Sequence, residues 1–244
     1  MERILKDMTY LKKWLPLIMT VMGIALAVVS YQYIQATQPI KVLVTGFEPF
    51  GMRDINTSGE VVKLLPEELQ DGKIQINTHI LPVEYNQSAK ELQQAINVHQ
   101  PDVIIGLGES GTRVDFRVET IAQNEIKSAS KDNKGQVYKG QLASKKGLDT
   151  YHTLLDTEKL SQWVPQYDVK INENAGGYLC EYIFYHIMNE IHQINMMDVR
   201  TQAVIGGFIH LPSVKQDDEP DERHQYLADG LVKIIENQVL TTYK

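Results

Sequence analysis

Short continuous runs of apolar residues, separated by segments with helical periodicity, are the feature that most restricts the fold of this chain. Residues 41–45, 103–107 and 203–211 are such runs, each of strand length. Strands that are buried on both faces of a sheet produce continuous apolar runs of this kind. Between the runs, apolar residues recur every three or four positions, as on the buried face of a helix. This alternation predicts an α/β domain whose largely parallel sheet is covered by helices on both faces.

Two other segments add detail to this outline. Thr57 and Glu60 have the spacing of a capping box, which predicts a helix that begins there and continues through Leu65. The stretch from Lys127 to Thr150 is polar and rich in glycine, lysine and serine, so we expect a long loop or a β-strand excursion. Long loops in compact domains often have a function.

The N-terminal segment contains an uncharged stretch long enough to suggest a membrane anchor. No charged residue occurs between Lys13 and Lys41, and residues 14–34 are almost continuously apolar. A helix of about 20 residues spans the hydrocarbon core of a bilayer, so we predict a transmembrane helix over residues 14–34. Basic residues are concentrated before this run. The positive-inside rule then predicts a cytoplasmic N-terminus and an extracytoplasmic domain.

Two other interpretations of this segment stay open. The sequence Ala25-Leu26-Ala27 resembles a signal-peptidase site that follows a short apolar stretch, so the segment could be a cleaved signal peptide. It could also be a buried helix of the globular domain. With the anchor interpretation, the chain divides into a cytoplasmic tail (1–13), an anchor (14–34), a linker (35–40) and a globular domain (41–244).

Composition excludes several classes of partner and site. The net charge is -7, and no basic stripe with interleaved aromatic residues is present, so we expect no nucleic acid partner. The chain has one cysteine, which rules out an intrachain disulfide. It also rules out a zinc site built from several thiols.

Cys180 is the first residue with a chemical context. It follows Gly176-Gly177 at the expected start of an amphipathic helix. A thiol at a helix N-terminus feels the positive end of the helix dipole, which lowers its pKa and favours the nucleophilic thiolate. The glycines allow backbone N–H groups to approach a substrate oxygen closely, as an oxyanion hole requires.

His210 and Glu119 could complete such a site. A thiol nucleophile needs a base, usually histidine, and a group that orients the base. His210 differs from the other six histidines because it ends an apolar strand, and ligands bind at the carboxyl ends of strands in open α/β sheets. Glu119 lies in a segment that reads as an edge strand after the turn at Gly108 and Gly111. On its own, a surface carboxylate would be the simpler interpretation.

Several separated motifs, in this order, resemble the pyroglutamyl peptidase I family, also called pyrrolidone-carboxylate peptidases. The matching segments are Thr45 through Gly51, Leu81-Pro82-Val83, Gly108 through Asn124, Ala175 through Cys180, and Gly207 through Pro212. The resemblance extends from Lys41 to about Val214 and does not include the first 40 residues. It implies a single three-layer α/β/α sandwich, often assembled as a homo-oligomer, that removes N-terminal pyroglutamate from peptides.

The resemblance also assigns roles to residues. The family's nucleophile falls on Cys180, its base on His210 and its acidic third member on Glu119. The expected mechanism passes through a thioester and needs no metal or organic cofactor.

The substrate site follows from the same resemblance. Phe47 and Phe50 match an aromatic pair that holds the flat lactam ring, and Asn56 matches an asparagine that follows the opening motif in the family. Backbone near Gly177 would contribute to the oxyanion hole.

The chain departs from the family pattern at several positions. Glu109 replaces a common glutamine, and Ala129 aligns with a common arginine. Met52 replaces the second glycine of the opening motif, and Thr120 follows Glu119 where a basic residue is usual. Two other functions therefore stay open: a membrane-tethered binder of blocked peptides without turnover, and a related cysteine amidase with a different acyl specificity.

Overall fold

The structure is a computed structural model that describes residues 14–30, 38–111, 114–197, 202–214 and 220–243. The chain divides into two units, Met1–Pro39 and Ile40–Lys244. The two units are described separately.

The N-terminal unit contains one described helix, α1, at residues 14–30. Among the described residues, no helix combines the length and the apolar character that crossing a membrane requires. The predicted transmembrane helix, and the membrane topology derived from it, are therefore wrong. The predicted tail (1–13), the end of the anchor (31–34) and residues 35–37 of the linker lie outside the described residues.

Nine strands and five helices form the described part of the second unit. The strands are β1 (Ile40–Phe47), β2 (Glu68–Leu69), β3 (Ile74–Leu81), β4 (Val103–Ser110), β5 (Phe116–Glu119), β6 (Ile121–Gln123), β7 (Thr150–His152), β8 (Val169–Asn172) and β9 (Ile205–Pro212). The helices are α2 (Thr57–Lys63), α3 (Tyr85–His99), α4 (Leu160–Trp163), α5 (Leu179–Met197) and α6 (Pro220–Thr242).

Seven of the strands form a mixed, mostly parallel sheet in the order β2-β3-β1-β4-β9-β5-β8. The central strands β3, β1, β4 and β9 are parallel to one another. β5 is antiparallel to β9 and parallel to β8, and β2 is antiparallel to β3. β6 and β7 form a separate antiparallel pair. The α/β part of the fold prediction agrees with this sheet.

Two hydrophobic cores lie on opposite faces of the sheet. Alternate residues of a strand point to opposite faces, so Val42 and Val44 belong to one core and Leu43 belongs to the other. Helices α2, α4 and α6 cover the first face, and α3 and α5 cover the second. The domain therefore has three layers, with the sheet in the middle.

The strand order places the predicted site residues of neighbouring strands side by side. β4 and β9 are parallel and adjacent, and Gly108 lies opposite His210 in their register. β5 pairs with the other side of β9, where Arg117 lies opposite His210. Glu119 was expected on an edge strand, but β8 forms the edge and β5 lies inside the sheet.

The segment between β6 and β7 contains no helix or strand, as expected for a long loop. Asp132 organises part of it, because its buried carboxylate accepts hydrogen bonds from the N–H groups of Tyr85, Lys134 and Gln136. Asn133 donates to Glu48 and to the carbonyl oxygen of Pro49. The loop is thereby fixed to the segment that follows β1.

Candidate active site

Cys180 is the second residue of α5 and lies just after a turn that requires glycine. Gly176 and Gly177 have φ angles of 93° and 68°, in the left-handed region that other residues rarely adopt. A side chain on Gly177 would also come within 2.8 Å of the Lys127 Cβ atom. The N–H groups of Lys127 and Ser128 donate to the Gly177 carbonyl oxygen and hold the turn in place.

The sulfur of Cys180 lies against Gly108. A Cβ atom built on Gly108 would be 2.9 Å from Cys180 Sγ, so the sulfur occupies the space that a side chain there would need. Gly108 is the register partner of His210, and paired residues of parallel strands point to the same face. The thiol and the imidazole therefore share one face of the sheet. They form no hydrogen bond with each other in the described structure, and such contacts often tighten only when substrate binds.

His210 and Glu119 form a buried pair behind the thiol. The distance from His210 Nδ1 to Glu119 Oε1 is 2.7 Å, and both side chains are almost completely shielded from solvent. Asn172 of β8 donates to Glu119 Oε2 at 2.6 Å, and Arg117 Nε donates to Oε1 at 2.8 Å. The carboxylate is thus oriented by three donors. We assign the Nδ1 proton to the bond with Glu119, which leaves Nε2 able to accept a proton.

Burial sets the direction of the His210 pKa. Loss of solvent lowers the pKa of His210 below its ordinary value of 6.5, although the hydrogen bond and charge of Glu119 act in the opposite direction. Arg117 adds to the lowering because its charge disfavours the imidazolium form. A neutral imidazole at neutral pH can act as a general base.

The Cys180 thiol is also shifted, in the direction opposite to the sequence-based expectation. Burial and the charge of Glu119 raise the pKa of Cys180 to about 12. Arg117 and the N–H group of Cys180 itself act against this rise. The thiol therefore stays protonated at neutral pH, and it needs a base before it can act as a nucleophile.

A small cleft opens beside the sulfur and contains about 300 Å³ of space. The cleft is mostly apolar and aromatic and has few polar groups. The residues that line it are Phe47, Phe50, Asn56, Val83, Glu109, Tyr178, Leu179 and Cys180. A cleft of this composition suits a flat, mostly apolar ligand that a few polar contacts orient. The predicted aromatic pair and the predicted nucleophile thus lie around one cavity.

Asn56 and Gly177 have a different relation to the cleft. Asn56 lines it, but its polar atoms are occupied: Nδ2 donates to the Glu48 carbonyl oxygen, and Oδ1 accepts from Ser58. Asn56 is also the N-cap of α2, which begins with Thr57 instead of being capped by it. Gly177 is not among the lining residues and contributes through its turn.

Glu109, one of the departures from the family pattern, is held in the wall of the cleft. Its Oε2 accepts from the Thr57 N–H at 2.7 Å, and its carboxylate pairs with Arg53. Arg53 also donates to Ser213 and lies over the Phe50 ring. The negative charge of Glu109, which the usual glutamine lacks, is therefore paired with the positive charge of Arg53.

The other departures lie away from the thiol and imidazole contacts. The side chains of Met52 and Ala129 are exposed. Thr120 donates to the Asn172 carbonyl oxygen and joins β5 to β8.

The sequence-based search missed two residues of the buried cluster. Arg117 shares a strand face with Glu119 because the two are two positions apart, so its proximity could have been predicted. Asn172 gave no signal, because its contact depends on the pairing of β5 with β8. In the described ranges, no three histidine, cysteine or acidic side chains are grouped as ligands for a metal ion.

A parallel-sheet α/β fold with a thiol, an imidazole and a buried carboxylate at one sheet edge is typical of hydrolases that use a thiol nucleophile. The sequence profile of the pyroglutamyl peptidase family matches residues 40–225 of this chain. The chain therefore belongs to the pyroglutamyl peptidase family, and the predictions of the family and of this type of peptidase are confirmed.

Individual relatives agree with this assignment. The pyrrolidone-carboxylate peptidase of Lactobacillus acidophilus is 32% identical over 207 residues, covering 82% of this chain and 99% of the relative. That of Thermosipho melanesiensis is 33% identical over 175 residues, covering 71% and 83%. The crystal structure of pyroglutamyl peptidase I from Bacillus amyloliquefaciens superposes with a TM-score of 0.71 at 30% identity, covering 82% of this chain and 96% of that one.

Proposed function

We propose that this protein removes N-terminal pyroglutamate from peptides through a thioester between the pyroglutamyl group and Cys180. The observation that carries the proposal is the buried His210–Glu119 pair, which shares a sheet face with the Cys180 sulfur. Membership of the pyroglutamyl peptidase family supports the choice of substrate. The peptide is the only substrate required besides water.

The first half-reaction forms the thioester. His210 Nε2 takes the proton of the Cys180 thiol, and the sulfur attacks the pyroglutamyl carbonyl carbon. The first N–H groups of a helix have no acceptor within the helix, so backbone N–H groups at the start of α5 would stabilise the developing oxyanion. The C–N bond then breaks, and His210 returns the proton to the leaving amine. Glu119 holds the imidazole and stabilises its charged form.

The second half-reaction restores the thiol. His210 takes a proton from a water molecule, which attacks the thioester carbonyl carbon. The C–S bond breaks, free pyroglutamate leaves, and the proton passes to the sulfur. This order of steps is compatible with the raised pKa of Cys180, because the imidazole removes the thiol proton only during attack.

The lactam ring would bind between Phe47 and Phe50. Both rings line the same cleft as Cys180. Flat apolar walls favour a five-membered lactam over a charged or extended side chain. Asn56 would act indirectly. It donates to the carbonyl oxygen of Glu48, which lies between the two phenylalanines in the sequence, and so fixes the backbone there.

Hydrolysis of a pyroglutamyl-aminomethylcoumarin substrate tests the proposal. The full chain should release the fluorophore, and Cys180→Ser should reduce kcat/KM by at least about 1,000-fold. Iodoacetamide should inactivate the wild-type protein and EDTA should not. Loss of activity with EDTA would contradict the mechanism.

Matched substrates separate the alternatives. Prolyl- and glutaminyl-aminomethylcoumarin should be hydrolysed far more slowly than the pyroglutamyl compound. A preference for either would instead indicate an amidase of different acyl specificity. Binding of pyroglutamyl peptides with no turnover would indicate a binding protein.

A further inference from the structure

Arg117 has no role in the mechanism above, yet its guanidinium lies inside the buried cluster. It is directly opposite His210 in the antiparallel register of β5 and β9. Its Nε donates to Glu119 Oε1 at 2.8 Å, and its Nη2 is 3.3 Å from His210 Nδ1. The Glu119 side chain in this pair has 0% exposure, and that of Arg117 has 25%. Charge interactions at such a site are screened much less than on the surface.

The arginine and the histidine share one oxygen. Glu119 Oε1 also receives His210 Nδ1, at 2.7 Å, while Oε2 is taken by Asn172. Nδ1 carries its proton toward Glu119, so it cannot accept a hydrogen bond from the nearby guanidinium nitrogen. The guanidinium therefore acts on the ring through its positive charge. The guanidinium therefore opposes protonation of the ring while it orients the carboxylate.

We propose that Arg117 is a positioning residue, whose guanidinium holds Glu119 in place and keeps the His210 imidazole neutral so that it can accept the Cys180 proton. This inference rests on the proposed function. A fixed carboxylate alone would orient the ring but would also stabilise the imidazolium form, which cannot act as a base. The arginine keeps Glu119 oriented, and its positive charge counteracts the stabilisation of the imidazolium form by the carboxylate.

The surrounding charges support this role. Arg117 lowers the pKa of both His210 and Cys180, whereas Glu119 raises both. From α5, buried Glu181 also raises the pKa of Cys180.

Two phenols near the sulfur do not change this balance. Burial raises the pKa of Tyr178 to about 12, and the pKa of Tyr85 on α3 is raised further. Both therefore stay neutral at working pH. Among the described groups whose charges act on both the sulfur and the imidazole, Arg117 carries the positive charge.

The test is the pH dependence of alkylation of the full-length protein by iodoacetamide. Cys180 is the chain's single cysteine, so the rate reports on this site without requiring peptidase activity. Removing a positive charge raises the proton affinity of both members of a coupled pair. In R117Q, the acid midpoint of the alkylation rate should therefore rise by about one pH unit. The acid midpoint of kcat/KM should rise with it.

Arg223 provides the matched control. It forms an ion pair with Asp115, which precedes β5, and R223Q removes the same charge from a partly buried pair away from the thiol. R223Q should leave both midpoints unchanged. An unchanged midpoint in R117Q, or an equal shift in R223Q, would overturn the proposal.

If circular dichroism shows that R117Q does not fold, Arg117→Lys is the variant that tests the proposal. R117K keeps the charge and loses the forked geometry, so its acid midpoint should stay near that of the wild type while its plateau rate falls. A midpoint that rises by a full unit in R117K would contradict the proposal. Absence of peptidase activity in the wild-type protein would refute the proposed function, but the alkylation profiles would still decide the role of Arg117.

Discussion

The contact between Gly108 and the Cys180 sulfur is a tight constraint on a single residue of the site. A Cβ atom at position 108 would lie 2.9 Å from both Sγ and the Phe208 ring, so both would have to shift to accommodate it. Gly108→Ala should therefore displace the thiol from His210. We expect kcat/KM to fall about 100-fold and stability to fall by about 1–3 kcal/mol. Turnover assays and urea unfolding would measure the two effects.

Gly111 is the matched control for this substitution. It lies three residues later, and a Cβ atom there would meet nothing within 4 Å. Gly111→Ala should leave both activity and stability close to wild-type values. A large loss of activity in this variant would show that the effect of Gly108→Ala does not depend on the sulfur contact.

The pKa of His210 gives a second prediction for a single residue. Because burial lowers this pKa below 6.5, the imidazole is neutral, and able to act as a base, at neutral pH. The acid limb of kcat/KM against pH should therefore have its midpoint below 6.5. A midpoint above 7 would mean that the charge of Glu119 dominates over burial.

The cap of α2 links the stability of an element to the substrate cleft. Asn56 caps this helix and donates to the carbonyl oxygen of Glu48, which lies between Phe47 and Phe50 in the sequence. Asn56→Ala should cost about 1–2 kcal/mol of unfolding free energy and should raise KM more than it lowers kcat. Glu84, the N-cap of α3, makes no side-chain cap bond, so Glu84→Ala should have a much smaller effect.

Helix α5 contains a partly buried histidine that should make stability depend on pH. Burial lowers the pKa of His186 to about 4, while an unfolded chain has the ordinary value near 6.5. Between these two values the unfolded state binds a proton that the folded state does not, so stability is lost as the pH falls through this window. The loss is on the order of 2 kcal/mol. His186→Gln should lose less stability between pH 7 and pH 4.5 in urea unfolding.

At the scale of elements, the sequence was informative about periodic segments and uninformative about pairing. The apolar runs predicted β1, β4 and β9 because a strand buried on both faces has a recognisable pattern. The interior position of β5, and with it the Asn172 contact to Glu119, depends on strand order, which local sequence does not encode. The pKa of Cys180 was mispredicted because the helix N-terminus is a local signal and burial is not.

The two units of the chain should be separable in function. The family profile begins at residue 40, and the second unit, Ile40–Lys244, contains the complete site. A chain that lacks residues 1–39 should therefore keep the wild-type kcat/KM. A large loss of activity would show that the N-terminal unit contributes to the site.

Assembly of the whole molecule stays a prediction from the family resemblance. Light scattering of the purified full chain would measure its mass in solution. A multiple of 27.8 kDa would support the predicted homo-oligomer, and a value equal to it would contradict the prediction.

The error about the N-terminal segment also belongs to this scale. Composition alone indicated a membrane helix, because residues 14–34 lack charge. Among the described residues, no helix is long and apolar enough to cross a membrane, and helix length is a property that composition does not determine.

Direct observation of the acyl-enzyme tests the account most directly. The full chain would be mixed with a pyroglutamyl peptide, quenched with acid in the steady state and analysed by intact-mass spectrometry and peptide mapping. We predict a mass increase of one pyroglutamyl group on the peptide that contains Cys180, and no such increase in Cys180→Ala. Wild-type turnover by Cys180→Ala, or an adduct on another residue, would contradict the assignment of the nucleophile.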